Sequence, residues 1–558
     1  MQLVNRLHFR NLRGDVFGGV TAAIVALPLA LAFGVSSGVG PIAGLYGAIV
    51  TGFFAALCGG TPSQISGPTG PMTVVMATIF TAVAASDSEA GLATAFTIIM
   101  LGGLFQILFG VLRLGKYITL MPYTVISGFM SGIGAIIIII EIAPFLGYPN
   151  VSGVLASFRA IPREIAHPDI MATGLGLLTL AIVFLSPAKL NRIVPSPLLA
   201  LIVGTLVSVY AMPNGDVPNI GAIPSGLPSL HLPTFNLEKL DFIVGYGLML
   251  AVLGAIDSLL TSLVADNITR TQHDSDRELI GQGIGNTISG LLGGLPGAGA
   301  TMRTVINVQA GGKTPLSGII HALILLAIVL GAGSLTANIP HAVLAGILIK
   351  VGIDIIDWGF LKRAHLVSWK ATGIMYGVML LTVFVDLIVA VAVGVFVANI
   401  LTIERLSKLQ SEKVQIVTDP KGEIPLEPEE TTILREAMGG ILLLHLGGPM
   451  SFGAAKSISQ RMSIVKHYEV LILDITDVTL LGVTASLAVE TMVKDAIAKR
   501  REVYLVGATG QAKDRLNKLK VLGMIPVQNQ LDNRIEALRQ ADIFLHPATV
   551  DNKEKANV

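Results

Sequence analysis

Between about Val16 and about Ile403 the sequence is an almost unbroken succession of apolar stretches, most of them near 20 residues long. A stretch of that length crosses the hydrocarbon of a bilayer as a helix. In lipid, a helix satisfies its own backbone hydrogen bonds. The composition agrees. Hydrophobic residues make up 52% of the chain and charged residues only 13%, about half the charged share of a soluble domain. With 38 Lys+Arg against 37 Asp+Glu, the chain lacks both the basic surface of a nucleic-acid binder and the polar bias of a disordered chain. An ordinary cytosolic enzyme is excluded on the same grounds. The single cysteine, Cys58, leaves no basis for an internal disulfide framework or a Cys-rich metal site. The opening MQLVNRLHFRNLRGD is polar and basic and has no cleavable signal pattern. What remains is a polytopic membrane protein.

The apolar text divides into fourteen spans, at roughly 16–36, 41–58, 69–84, 91–112, 122–140, 170–186, 197–210, 243–265, 279–295, 301–312, 315–335, 339–356, 371–386 and 388–403. Charge tests the count. With the N-terminus inside, the inner loops carry Arg6, Arg10, Arg13, Arg113, Lys116, Lys189, Arg192, Arg270, Arg277, Lys313, Lys362, Arg363 and Lys370, and the outer loops only Arg159, Arg163 and Lys239. That bias is the one expected for positive loops inside. An even number of spans then puts both termini in the cytoplasm.

The third and tenth spans are short, and Gly/Pro-rich text precedes both: GGTPSQISGPTGPMTVV from Gly59 and GGLPGAGATMRTVI from Gly293. Each reads Gly-x-Thr where a helix could begin, at Gly67-Pro68-Thr69 and at Gly299-Ala300-Thr301. Each is third in a set of seven spans. Seven is odd, so the two halves run in opposite directions across the membrane. Interrupted spans at matching places of an inverted repeat point to a binding site at the midplane. A helix that starts inside the membrane leaves its first N–H groups without partners. Thr69 and Thr301 are expected to cap those ends, and Pro71 suits a first turn. Each start carries about half a positive charge, so two that face each other offer about +1, a field suited to an anion.

Asp257 lies in VLGAIDSLLTSLVAD, near the middle of the eighth span. A charge there costs about 2.5–3.5 kcal/mol on an insertion scale, so it requires a partner, a proton or an ion. Thr261, four residues on, shares its helix face. With carbonyls of an unwound Gly299-Ala300-Thr301, these side chains would form an all-oxygen site for a hard cation, sodium being the natural candidate. A buried, protonated carboxyl is the alternative. Arg303 has three readings: it faces the anion, neutralises Asp257, or snorkels to the inner surface. Glu141, Lys350, Asp354 and Asp357 read as interfacial or gating, and His321 and His341 as structural. No cluster has metal-ligand spacing, and no nucleophile–base motif appears.

After Glu404 the charges return. A linker is expected over 406–432, a soluble domain over 433–547 and a disordered tail over 548–558, with the membrane domain at 1–405. Strand-like runs GILLLHLGG, VLILDIT and EVYLVGA alternate with helical text such as GVTASLAVETMVKDAIAKR, which predicts a small α/β domain.

Several long motifs, in order, resemble the SulP anion transporters, the bacterial relatives of solute carrier family 26. They are QISGPTGPMTVV, MPYTVISGFMSGIG, SLVADNITRTQHDSDRELIGQGIGN and GAGATMRTVINVQAGG. The C-terminal part resembles a STAS domain. The resemblance implies fourteen spans in a 7+7 inverted repeat, a homodimer in the plasma (inner) membrane, and movement of a core domain against a gate domain. HFRNLRGDVFGGVTAA and KVGIDIIDWGFLKRAHLVS resemble the cyanobacterial sodium–bicarbonate symporters of the family. By that similarity Asp257, Thr261, Gly299, Ala300 and Thr301 would hold sodium, and Thr69, Ala300 and Thr301 would lie at the anion, with Arg303 a further candidate there. No other cofactor is expected. Arg303 is common in the wider family but is not expected in the bicarbonate branch, which keeps sulfate, other oxyanions and dicarboxylates open, with sodium or proton coupling. DITDVTLLGVTAS places Thr484 where the family's phosphorylatable Ser or Thr stands, with Gly482 replacing the usual Asp. A regulatory partner for the STAS domain, or a protein whose main task is STAS signalling, is therefore a second reading. An anion channel is a third, and an enzyme is the least supported.

Overall fold

The computed structural model describes the chain except for residues 1–3, 6–8, 85–87, 119–120, 150–152, 188–189, 191–193, 213–216, 222–225, 227, 235–238, 333–336, 419–424, 466 and 547–558. Arg6, Lys189, Arg192 and the expected tail 548–558 lie outside the described residues. The chain forms two compact units, Met1–Ala398 and Asn399–Val558.

Each of the fourteen predicted segments is met by a helix. In the first half these are α1 Leu12–Ser36, α2 Pro41–Cys58, α3 Gly70–Ala84, α4 Ser88–Val111, α5 Tyr123–Phe145, α6 Ile170–Leu185 and α7 Ser196–Ala211. In the second half they are α8 Leu240–Thr269, α9 Ser275–Leu291, α10 Thr301–Gln309, α11 Pro315–Ala332, α12 His341–Ile355, α13 Trp369–Phe384 and α14 Leu387–Glu412. Among the described residues, six helices are long and apolar enough to cross a membrane alone, and several others are shorter apolar helices. The sequence reading omitted a helix at Val154–Ala166, which meets α6 at a bend of 108°. Its two arginines broke the apolar run.

The short helices have a structural cause. Before α3 the chain runs extended as β1, Ser66–Gly67, and before α10 as β2, Ala298–Gly299. The two strands pair antiparallel, Ser66 with Gly299 and Gly67 with Ala298. A short extended segment therefore precedes each of α3 and α10. α9 packs against α4 and α2, and α8 against α4 and α10. The two interrupted segments thus meet inside a helical shell whose apolar core includes Leu31, Leu45, Met72, Met76 and Ile133.

The second unit carries a five-stranded sheet in the order β3-β4-β5-β6-β7, with β3 Val414–Val417, β4 Ile441–Met450, β5 Val470–Leu481, β6 Glu502–Val506 and β7 Gln530–Leu531. β3 is antiparallel to β4 and the other pairs are parallel. The three strand-like runs of the sequence are β4, β5 and β6. The segment read as linker holds the end of α14, the edge strand β3 and the start of α15, Pro428–Glu436. Four residues of edge strand bounded by polar text are too short a signal to read. The helix expected after β5 is α16, Val483–Ala498.

Asp474 on β5 is buried at this sheet's core. It accepts from His445 Nδ1 at 2.9 Å and from the Thr476 hydroxyl at 2.7 Å, and Arg534 Nη1 approaches at 3.4 Å. Burial pushes its carboxyl up, but the bonds from His445 and Thr476 outweigh it and hold the group below the usual carboxylate range. The stabilisation from Asp474 is therefore present at neutral pH and lost as pH falls through its lowered value. Asp474→Asn is expected to cost the STAS unit about 3 kcal/mol, because Arg534 and His445 lose a buried partner. Thermal unfolding of the full-length variant measures it.

Candidate functional site

The site is built where β1 and β2 meet. Two glycines make the meeting possible. Gly67 has φ +151°, and a Cβ on it would come within 2.8 Å of Arg303 Nη1 and 3.1 Å of the Ala48 Cα. A Cβ on Gly299 would come within 2.3 Å of Gln64 Nε2. These glycines let the two halves of the protein approach each other.

The first backbone bonds of the two helices match: Thr73 N donates to Thr69 O at 3.0 Å, and Thr304 N to Ala300 O at 2.9 Å. Thr69 and Ala300 therefore occupy equivalent cap positions. This corrects the expected capping. Thr301 is the first residue of α10, not its cap, and neither cap position supplies a side-chain bond: Ala300 has no side-chain oxygen, and the buried Thr69 hydroxyl has no partner. The cause is local. β2 runs directly into Ala300, whereas Pro68 separates β1 from Thr69. The first-turn N–H groups of Thr301, Met302 and Arg303 accordingly have no partner among the described residues.

Asp257 on α8 is 8% exposed, and its Oδ2 has no hydrogen-bond partner. Thr69, from the opposite half of the repeat, and Arg303 both lie close enough to act on this carboxyl. One turn on, the Thr261 hydroxyl donates to the Gly299 carbonyl at 2.9 Å and meets the Thr301 hydroxyl at 2.7 Å. The Gly299 N–H donates to Ser258 Oγ at 3.0 Å. Oxygens of Thr261, Gly299 and Thr301 are thus gathered on the helix face that carries Asp257. This is the donor type a hard cation takes.

Arg303 is 2% exposed, so it does not snorkel to the surface. It extends back across the bridge, and its Nη2 donates to the Pro68 carbonyl at 2.5 Å. Thr301, two positions earlier, is exposed; the two side chains leave opposite faces of α10. Glu141, read as interfacial or gating, is 3% exposed inside α5, with Oε1 lacking a partner. Lys350 pairs with Asp354. Asp357 caps a short helix, Trp358–Leu361, and accepts from Tyr123 and Ser127. His321 is fully buried behind β1, near Gly52. Thr484 is exposed in the first turn of α16.

The sequence reading missed a polar stripe on α9. Glu278, Gln282, Asn286 and Ser289 recur at intervals of four, four and three, which places them on one helix face. They hold both interrupted segments. Glu278 Oε2 accepts from Gly60 N at 2.9 Å and Thr61 N at 2.8 Å, and Gln282 Nε2 donates to Ser66 Oγ at 2.6 Å. Asn286 accepts from Gly297 N at 2.7 Å and donates to Gly297 O at 2.9 Å, and Ser289 donates to Leu295 O. The spacing was visible; reading α9 as a plain apolar span concealed it.

Comparison with known proteins fixes the family. Residues 12–378 match the sulfate permease family, and residues 432–534 match the STAS domain. The chain belongs to the sulfate permease family. It is 54% identical over 557 residues to the bicarbonate transporter BicA of Picosynechococcus sp., covering 99% of this chain and 98% of that one. It is 30% identical to the putative sulfate transporter YvdB of Bacillus subtilis, covering 95% and 98%. The transmembrane domain of a cyanobacterial bicarbonate transporter BicA superposes with a TM-score of 0.67 at 55% identity, covering 70% of this chain and all of that one. SLC26A9 superposes with a TM-score of 0.82 over 98% of this chain and 92% of that one; at 17% identity this speaks to the fold alone. The fold is therefore that of a helical membrane anion transporter with a C-terminal STAS domain, and the relatives are transporters, not enzymes.

Proposed function

We propose that this protein imports bicarbonate together with sodium, as a homodimer in the plasma (inner) membrane with both termini in the cytoplasm. The observation that carries the reading is the pairing of β1 with β2, which brings two helix starts of opposite orientation together beside Asp257, whose Oδ2 has no hydrogen-bond partner. The near-full-length likeness to bicarbonate transporters BicA supports the choice of anion. Thr69, Ala300 and Thr301 would face the anion, and Asp257, Thr261, Gly299, Ala300 and Thr301 would hold sodium.

Charge balance supports coupling. Two helix starts contribute about +1. Arg303 adds one positive charge, and Asp257 and Glu278 each carry a negative one. A monovalent anion then leaves the site about one unit negative, which a sodium ion restores. Without Glu278 the same sum would favour a dianion with sodium, or a monovalent anion without it. Arg303 is thus the observation behind a second reading, transport of sulfate or a dicarboxylate. The inhibition of labelled bicarbonate uptake by excess sulfate separates the two. In proteoliposomes at alkaline pH, bicarbonate uptake is expected to follow an inward sodium gradient and fall to background when potassium replaces sodium. Uptake that persists unchanged in potassium would refute symport.

A further inference from the structure

The strongest unassigned feature is the carboxylate of Glu278. It is 1% exposed at the start of α9. Each of its oxygens receives two N–H groups. Oε2 takes those of Gly60 and Thr61, and Oε1 takes Gln64 Nε2 and Gln282 Nε2, both at 2.8 Å. Four donors surround the two oxygens, an arrangement that favours the ionised form.

From Glu278 a chain of hydrogen bonds leads to the cation side of the site. Gln64, fixed by its bond to Glu278, accepts from Ser262 Oγ at 3.1 Å. Ser262 Oγ also meets Thr61 Oγ1 at 2.7 Å and lies 2.9 Å from the Ser258 carbonyl, so its one proton is shared between that carbonyl and Gln64 while Thr61 donates to it. Ser258 Oγ accepts from the Gly299 N–H, and the Gly299 carbonyl accepts from Thr261. Gln64 also lies against Gly299, where no side chain would fit.

A second buried carboxylate shows what is particular to this one. Asp15 on α1 accepts from Lys313 N at 2.8 Å, Thr314 N at 3.0 Å and the Thr314 hydroxyl at 2.8 Å. It secures the start of α11 by the same chemistry. Its bonds lead to Asn11 and the 311–314 turn, not to Gly299.

We propose that Glu278 is a positioning residue that sets the affinity for the coupling cation: it locks Gln64 against Gly299, so that the Gly299 carbonyl and Thr261 face Asp257, and it supplies the negative charge that offsets Arg303. The proposal rests on the sodium-coupled reading. Glu278→Gln keeps the shape, removes the charge and turns an N–H group toward a donor.

The test measures bicarbonate uptake against sodium concentration, and the sodium-dependent rise in melting temperature, for wild type, Glu278→Gln, Gln64→Ala and Asp15→Asn. Glu278→Gln is expected to raise the sodium half-saturation at least about tenfold, the scale of one or two lost charge-assisted bonds, and to change the maximal rate far less. Gln64→Ala is expected to shift it in the same direction by less. Asp15→Asn is expected to lower the melting temperature without moving the half-saturation. A wild-type half-saturation in Glu278→Gln overturns the proposal, as does an equal shift in Asp15→Asn. If Glu278→Gln does not fold, an unshifted Gln64→Ala overturns it. A wild type indifferent to sodium refutes the symport reading and the proposal with it.

Discussion

Asp257→Asn is expected to abolish sodium-dependent uptake, lowering it by about two orders of magnitude, while the protein still inserts and folds. Asn fills the same volume, and Asp257 Oδ2 has no hydrogen-bond partner to lose. Little of the packing of α8 depends on the charge. The proposed cation would depend on it, since the other oxygens gathered beside it, from Thr261, Gly299 and Thr301, are neutral. Removing the formal negative charge beside a partly desolvated cation would cost about 3 kcal/mol, or about a hundredfold in affinity. The check is paired: uptake with and without a sodium gradient, and size-exclusion behaviour of the purified variant. Monodisperse protein with wild-type sodium dependence would remove Asp257 from the site.

How much of this was legible beforehand differs between the parts. The fourteen helices were, because an apolar stretch of fixed length has few alternatives in lipid. So was the pairing of halves, because Gly67-Pro68-Thr69 and Gly299-Ala300-Thr301 occupy equivalent places in an odd-numbered repeat. The caps were not. Whether a threonine lies at the cap or one residue inside depends on where β1 and β2 end, and Pro68 alone offsets the two motifs. The partner of Arg303 was equally hidden, since Pro68 is distant in sequence and the contact exists only through the bridge. The stripe from Glu278 to Ser289 was readable from spacing alone; its significance was not, because its partners are backbone groups and the side chains of Gln64 and Ser66, on segments that carry no local sign of where they will run. In the second unit, β4 to β6 stood out as continuous apolar runs, whereas β3 and β7 are four and two residues long.

The Arg303→Met exchange is expected to end transport and to cost about 3–5 kcal/mol of stability, and the second effect should be partly reversible by a further substitution. Arg303 is buried, bonded to the Pro68 carbonyl of the other half and electrostatically coupled to Asp257. Removing it leaves a buried acceptor unpaired and withdraws the positive charge nearest Asp257, which is the costly way to break such an arrangement. Methionine keeps much of the side chain's volume, so little of the loss is a cavity. In Asp257→Asn/Arg303→Met the stranded charge is gone as well. The double variant should therefore unfold at a higher temperature than Arg303→Met, while transporting no better than either single one. A coupling of about 1–3 kcal/mol in the double-mutant cycle is the expected size for interacting neighbours. Additive losses would mean that Arg303 ties the halves together through Pro68 alone. The anion would then meet two helix starts without the arginine's charge behind them, and the balance that calls for Glu278 would have to be drawn again.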